Sequence, residues 1–179
     1  MIAFAAGKRY ITEYRSAFSS FKFTRPDVPM DLHDYLHTHT AEIVDTACES
    51  MKRTHMKHYE AAGPEHVHQR LRALYTLTTR AVKEKNLGPM IAHADTVAVE
   101  RFNAGYDLWE VQTAFNVLEE VLWQHILKSF PPDRFAEALG LVSTVLGAGK
   151  DALARKYVTL ASKSKAPSLD LQKLFTGAE

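Results

Sequence analysis

The chain has 179 residues, of which 46% are hydrophobic and 24% are charged, values that are typical of one globular domain with a sizeable core. Its 22 basic residues nearly balance its 21 acidic residues, so it lacks the positive excess that nucleic-acid-binding proteins carry. Because Cys48 is the only cysteine, an internal disulfide and a metal site built from several cysteines are both excluded.

Two features that the sequence lacks, a signal peptide and a membrane-spanning segment, bear on where the protein is located. The apolar run over residues 1–6 is too short for the hydrophobic segment of a signal peptide, and Lys8 and Arg9 follow it instead of preceding it. No run of about eighteen apolar residues is present to span a membrane. We therefore expect a soluble, cytoplasmic protein.

The first predicted element is an amphipathic helical arm over residues 1–30. Its apolar and aromatic residues recur at helical spacing at Phe4, Ile11, Tyr14, Phe18 and Phe21. The arm holds five basic and two acidic residues, a net charge of +3, and a basic amphipathic helix can lie on an anionic membrane. Aromatic residues at this spacing more often cover a protein surface, so we expect packing on the same domain or on a second subunit, and no membrane contact.

Residues 31–163 form the predicted main domain, a series of amphipathic helices separated by proline and glycine. Asp31 is placed to cap a helix whose apolar stripe continues to Met51. Pro64 and Pro89 suit the first turns of the next two helices, where a proline removes no intrahelical hydrogen bond. No alternating strand pattern appears, so the sequence predicts an all-α fold of about six helices.

The last two helices are predicted to be the longest. The first has apolar residues at steps of three or four until Pro131 ends it, and the second sustains its apolar stripe to Leu160. A helix of about thirty residues is longer than a domain of this size needs, which favours a homodimer. Residues 164–179 form a predicted flexible tail. Close contacts with another helix are predicted at three glycines, Gly140, Gly147 and Gly149.

The corner before these two helices is specified by its sequence. Gly105 can end a helix in the left-handed conformation without a Cβ penalty. Asp107 is placed to cap the next helix, and Glu110 is spaced to bond back to the cap amide, as in a capping box. Tyr106 and Val111 have the spacing of a hydrophobic staple, which fixes the angle of chain entry.

Patterns for catalysis and metal binding are weak. His33 and His37 lie four residues apart, but a zinc site needs three or four ligands. Glu65 and His68 form one Glu-x-x-His unit, whereas carboxylate-bridged di-iron bundles use two. No nucleophile motif or phosphate-binding glycine loop appears. We therefore expect neither a metal site nor catalytic activity. One alternative stays open, an enzyme whose active site is assembled from residues on separate helix faces.

Seven residues at this corner and on the helix after it follow the pattern of a known family; they are Gly105, Tyr106, Leu108, Glu110, Val111, Leu118 and Trp123. In this pattern the chain resembles the N-terminal sensor domain of the RsbR and RsbRD stressosome regulators. The similarity extends more loosely over residues 64–162. It implies a globin-like bundle without haem that forms a homodimer and passes a stress-response signal to a regulatory protein partner.

The aromatic residues of this region are candidates for a ligand pocket or an interface, and core packing explains them equally well; they are Tyr106, Trp109, Phe115, Trp123 and Tyr157. In the expected mechanism, a ligand or partner biases a two-state change in the packing of the last two helices.

His93 supports an alternative, a haem- or metal-binding globin-type sensor. It is the only histidine on the helix that begins at Pro89, and a globin carries its proximal haem ligand on the corresponding helix. However, it lies about four turns before the Asp107 corner, further upstream than that ligand usually sits. No histidine in the middle of the preceding helix could act as a distal partner. The cofactor-free interpretation is preferred, and the haem alternative stays open.

Overall fold

The computed structural model describes residues 31–165, so the arm predicted over residues 1–30 and most of the predicted tail lie outside the described residues. The described part is all-α, as predicted, and contains no strand. None of its helices combines the length and apolarity that crossing a bilayer requires. The helices are α1 (Leu32–Thr38), α2 (Thr40–Lys52), α3 (Lys57–Ala62), α4 (Pro64–Glu84), α5 (Gly88–Asn103), α6 (Leu108–Ser129), a 3₁₀-helix (Pro132–Arg134) and α7 (Phe135–Lys165).

The stripe from Asp31 to Met51 forms two helices instead of the predicted one. Asp31 does cap α1, because its carboxylate accepts a hydrogen bond from the second helical amide at 3.1 Å. The helix then breaks at His39, whose φ is −98° and ψ is 19°. There the imidazole of His39 lies 2.9 Å from the carbonyl oxygen of Tyr35, and Thr40 donates its hydroxyl to another carbonyl of the last turn. Such side-chain hydrogen bonds compete with the backbone hydrogen bonds of a helix, and the spacing of the apolar residues does not reveal them.

The segment after α2 contains a helix that the apolar pattern does not predict. α3 has six residues, too few for a helical repeat to be recognised. Met56 before it is 2% exposed, and Gly63 after it has a φ of +81°, which glycine adopts without strain. Tyr59 in the middle of α3 is buried. This short helix therefore holds His58 and Tyr59 against the rest of the bundle.

The remaining helix boundaries agree with the sequence. Pro64 begins α4 and Pro89 lies in the first turn of α5, as predicted. α6 ends at Ser129, shortly before Pro131. α7 has 31 residues, so it is about 46 Å long.

α7 packs mainly against α5 and α6, and α2 packs against α4 and α6. A Cβ at Gly149 would lie 2.7 Å from the ring of Phe115 on α6 and 3.1 Å from Sδ of Met90 on α5. The predicted close contact is therefore confirmed at Gly149. It is wrong at Gly140 and Gly147, where a Cβ would meet no atom within 4 Å.

The side chains of all the longer helices meet in one core. On α7, burial continues to Tyr157, and residues 158–163 are partly buried or exposed. The largest fully buried side chains include Leu36, Ile43, Leu71, Tyr75, Met90, Leu118, Leu122, Ile126, Leu146 and Leu153.

Candidate functional site

The corner between α5 and α6 has the geometry that its sequence predicts. Gly105 has a φ of +81°, in the left-handed region that favours glycine. The side chain of Asp107 accepts the backbone amide of Glu110, and Oε2 of Glu110 accepts the amide of Asp107 at 3.0 Å. The predicted capping box is therefore confirmed. Because Glu110 is 4% exposed, the corner also holds a buried carboxyl group.

α3 lies against this corner and supplies a partner for that group. Nδ1 of His58 lies 2.8 Å from Oε2 of Glu110. The imidazole of His58 also stacks on the ring of Tyr106, with the centroids 4.5 Å apart. Tyr59 meets the same ring edge-on at 5.7 Å. His58 and Tyr59, two consecutive residues of α3, therefore both contact the aromatic ring of Tyr106 at the corner.

Two arginines and a further tyrosine complete the surroundings of Tyr106. The guanidinium carbon of Arg101 lies 5.1 Å from the ring centroid and that of Arg70 lies 5.9 Å away, both within the range of cation–π contacts. Arg70 donates a hydrogen bond to the Tyr106 hydroxyl at 3.2 Å, and that hydroxyl donates to the carbonyl oxygen of His58 at 3.3 Å. The hydroxyl of Tyr157 donates to the carbonyl oxygen of Tyr106. Helices α3, α4, α5 and α7 thus meet at the corner. We call this group the Tyr106 cluster: His58, Tyr59, Arg70, Arg101, Tyr106, Glu110 and Tyr157.

Two tyrosines of the cluster, Tyr59 and Tyr157, stay protonated over a wide pH range. Burial raises the pKa of Tyr59 to about 12, although the nearby Arg101 and Arg70 oppose the rise. Burial also raises the pKa of Tyr157 to about 12. Their hydroxyls therefore act as neutral hydrogen-bonding groups at physiological pH. Such an arrangement is suited to fixing helix packing rather than to transferring protons.

The five aromatic residues predicted from the sequence do not form one pocket. Tyr106 and Tyr157 come together in the Tyr106 cluster. Phe115 is 3% exposed and belongs to the core. Trp109 and Trp123 are 58% and 43% exposed, so they lie on the outer side of α6.

These two tryptophans lie along the junction of α6 with α7. Nε1 of Trp123 donates to Oγ of Ser143 at 3.1 Å, and Nζ of Lys150 donates to Oδ1 of Asn116 at 3.2 Å. The two pairs are seven residues apart on each helix, so they define one antiparallel register. This register places Trp109 level with the end of the buried part of α7. We call the outer surface of this helix pair the α6–α7 face: Trp109, Asn116, Trp123, Leu127, Gly140, Ser143, Gly147, Lys150 and Val158.

His93 lies on α5 beside a cavity of about 240 Å³, which is lined by α4, α5, α6 and Tyr59 of α3. Burial lowers the pKa of His93, so its imidazole is neutral at pH 7, the form that binds metals. The cavity is smaller than the roughly 300–1,000 Å³ usual for ligand pockets. In this arrangement the cavity is therefore too small to enclose a haem.

The other histidine patterns of the sequence do not converge on a site. The ring centroids of His33 and His37 are 6.2 Å apart. Glu65 accepts a hydrogen bond from a glutamine, whereas His68 faces Asp45 at 3.4 Å, so this pair has separate partners. Within residues 31–163, the one group whose possible ligand atoms lie within 4.8 Å of one another is Asp31, His33 and Asp34.

A larger cavity, of about 760 Å³, lies between the end of α2, α3 and the start of α4. Burial raises the pKa of the Cys48 thiol to about 11, so the thiol is protonated at neutral pH. Tyr59 lines this cavity and also contacts Tyr106, so α3 connects the cavity to the corner. The buried residues of its wall are Cys48, Met51, Met56, Tyr59 and Val67.

Sequence reasoning missed the contribution of α3 and of the two arginines. His58 and Tyr59 lie in a stretch where the helical pattern fades, and Arg70 and Arg101 cannot be told apart from arginines on a solvated helix surface. The sequence carries no usable signal for these contacts, because the φ of Gly63 and the burial of Met56 are properties of the folded chain.

Comparisons with models of known protein families, with curated protein sequences and with solved structures find no significant match for this chain. The resemblance to RsbR-type sensor domains therefore stays a prediction.

Proposed function

We propose that this chain is a non-catalytic signalling domain that works as a homodimer through the α6–α7 face. One observation carries the proposal: every large hydrophobic side chain that is exposed in the described part lies on α6 or α7, namely Trp109, Trp123, Leu127 and Val158. Tryptophan is enriched at the centres of protein interfaces, where its burial contributes much of the binding energy.

The face also has the shape that a symmetric dimer requires. In a two-fold interface the same patch is used by both subunits, so it must contain both protruding and recessed parts. Trp109 and Trp123 protrude from α6, whereas Gly140 and Gly147 leave open space on α7. The charge of Lys150 is already neutralised by a carboxylate of α6 at 2.7 Å, so burying the face leaves no unpaired cation there.

The Tyr106 cluster is placed to pass a change to this face. It joins α3, α4 and α5 to the start of α6, and its Tyr157 is the last buried residue of α7 up to residue 163. A rearrangement at the corner therefore changes how α6 and α7 pack, and a regulatory protein partner can read that change on the part of α7 that follows Tyr157. The resemblance to the RsbR-type sensors supports this direction of signalling and a globin-like arrangement of the helices.

Sedimentation velocity tests the dimer directly. We expect the full chain to be a dimer and Gly140→Arg and Gly147→Arg to be monomers, because each arginine would occupy the recess that the opposite tryptophan needs. The space around both glycines is open and arginine favours helix more than glycine does, so the monomer should fold at least as well. Ala92→Arg, on the exposed side of α5, is the matched control and should stay dimeric. A monomeric wild type, or dimers in both glycine variants, would refute the proposed interface.

A second experiment tests whether a change in the Tyr106 cluster affects the α6–α7 face. His58→Ala changes the Tyr106 cluster without altering a residue of the α6–α7 face, so we expect it to shift the dimer dissociation constant. Tyr75→Phe removes a buried hydrogen bond to the carbonyl oxygen of Leu36, outside the Tyr106 cluster, and serves as a control for general destabilisation. Equal dissociation constants for wild type and His58→Ala would mean that the corner does not communicate with the face.

The haem alternative rests on the neutral imidazole of His93 and makes a separate prediction. A haem bound there would give the purified protein a strong visible absorption band that is lost in His93→Ala. Titration of the apoprotein with haemin, followed by absorbance in wild type and variant, separates this alternative from the cofactor-free signalling domain.

A further inference from the structure

The cavity of about 760 Å³ between α2, α3 and α4 has the size of a small-molecule site. Its floor is apolar and rich in sulfur, with buried Cys48, Met51 and Met56 side by side with Val67. Methionine side chains are flexible and polarisable, so such a floor adapts to apolar groups of different shapes. The cavity lies apart from the α6–α7 face, so a ligand can enter it without contacting the proposed dimer interface.

The rim of the same cavity carries an excess of negative charge. Four carboxylates line it, and the only lining residue with a permanent positive charge is Lys52, whose Nζ lies 2.6 Å from Glu49. The partners of Asp45, Glu60 and Glu65 are histidine or glutamine side chains. Three carboxylates therefore keep charge that no lysine or arginine of the lining balances. Such a rim attracts cations and repels anions.

We propose that this cavity binds an organic cation, with an apolar body on the methionine floor and a protonated amine at the carboxylate rim. The apolar floor would contact the apolar body of the ligand, and the carboxylate rim would contact its protonated amine. An apolar molecule without charge would leave the rim unused, and a polyamine without an apolar body would leave the floor exposed to water. A fatty acid or another apolar anion would place its charge against Asp45, Glu60 and Glu65.

Three probes with the same apolar body separate these contributions: 4-phenylbutylammonium, 4-phenylbutanol and 4-phenylbutanoate. Binding to the full chain is followed by NMR of ¹³C-methyl methionine, because Met51 and Met56 line the cavity and Met90 lies in the core as an internal control. We expect saturable shifts of Met51 and Met56 but not of Met90. The cation should bind at least about tenfold more tightly than the alcohol at low salt, and the carboxylate should bind most weakly.

A double variant, Glu60→Gln with Glu65→Gln, tests the rim. Both residues are exposed, so the variant should fold, bind the alcohol as before and lose most of its preference for the cation. Glu137→Gln, beside a different cavity near α1, is the control and should bind all three probes like the wild type.

Several results would overturn the proposal. One is equal affinity for cation and carboxylate, and another is the absence of shifts at Met51 and Met56 with every probe. A third concerns the basic arm over residues 1–30: if Lys8→Glu with Arg9→Glu and Arg15→Glu shifts both methionine signals without any probe, the cavity is occupied by the arm and not by a small ligand.

Discussion

Nδ1 of His58 lies 2.8 Å from Oε2 of Glu110, and the same oxygen accepts the backbone amide of Asp107 at 3.0 Å. One carboxylate oxygen therefore caps the first turn of α6 and also fastens α3 to it. Since Glu110 is 4% exposed, its carboxylate is largely shielded from water, and removing it leaves the Asp107 amide and His58 without this acceptor. Glu110 thus contributes both to the order of the corner and to the docking of α3.

This dual role predicts an unusually large effect for Glu110→Ala. The substitution leaves the Asp107 amide and His58 without their acceptor, so we expect the free energy of unfolding to fall by about 2–3 kcal/mol. Glu110→Gln keeps an acceptor oxygen and should cost less. Glu120→Ala, on the exposed side of the same helix, should change the free energy by less than about 0.5 kcal/mol. Urea unfolding followed by circular dichroism measures all three, and similar losses for Glu110→Ala and Glu120→Ala would contradict the dual role.

The close contact at Gly149 predicts that adding one methyl group there lowers the free energy of unfolding. In Gly149→Ala the new Cβ would lie 2.7 Å from the ring of Phe115, so the core must shift, at a cost of about 1–3 kcal/mol. Gly147→Ala has open space and gains helix propensity, so it should stabilise the monomer by up to about 1 kcal/mol. Unfolding should be measured at a concentration where the chain is monomeric.

A double-mutant cycle shows whether the Phe115 ring is the cause of the penalty. Phe115→Leu makes room at the same point, so Gly149→Ala should be better tolerated in that background than in the wild type. If the cost of Gly149→Ala is the same in both backgrounds, the ring does not limit the approach of the helices.

The parts of this structure that sequence could predict are the ones set by neighbouring residues. Asp107 and Glu110 are three residues apart, and Gly105 acts on its own backbone, so the corner follows from local chemistry alone. The bond from His58 to Glu110 joins residues 52 positions apart, and no local rule pairs them. Trp109 and Trp123 each follow a residue of the apolar stripe, which turns them away from the core, but the register of α6 against α7 that completes their face joins distant residues. The fold class was therefore predictable, whereas the Tyr106 cluster and the α6–α7 face were not.

Alkaline pH should destabilise the protein in two steps. Burial raises the pKa of Cys48 from an ordinary 9 to about 11, and it raises the pKa of Tyr59, Tyr75 and Tyr157 from 10 to about 12. The unfolded chain therefore loses these protons at a lower pH than the folded chain, so unfolding releases protons and stability falls as pH rises. The contribution is complete below about pH 9, declines between pH 9 and 11 for the thiol, and declines between pH 10 and 12 for the tyrosines.

Urea midpoints at a series of pH values from 7 to 11 would show this decline, with the pH range set by the pKa shifts. Tyr59→Phe and Tyr157→Phe each remove one titrating hydroxyl, so their stability should fall less steeply above pH 10. Unchanged steepness in both variants would mean that these hydroxyls ionise as easily in the folded chain as in the unfolded one.

The tryptophans offer the simplest check of the dimer, because the chain has two and both lie on the α6–α7 face. In the monomer Trp109 and Trp123 are 58% and 43% exposed, so the fluorescence maximum should be that of an indole in contact with water. Raising the protein concentration through the dimer dissociation constant should shift the maximum to shorter wavelength as both rings become buried. Trp109→Phe and Trp123→Phe assign the shift to each ring, and Gly147→Arg should show none. A dimer in sedimentation without any shift in emission would place the subunit contact on another surface.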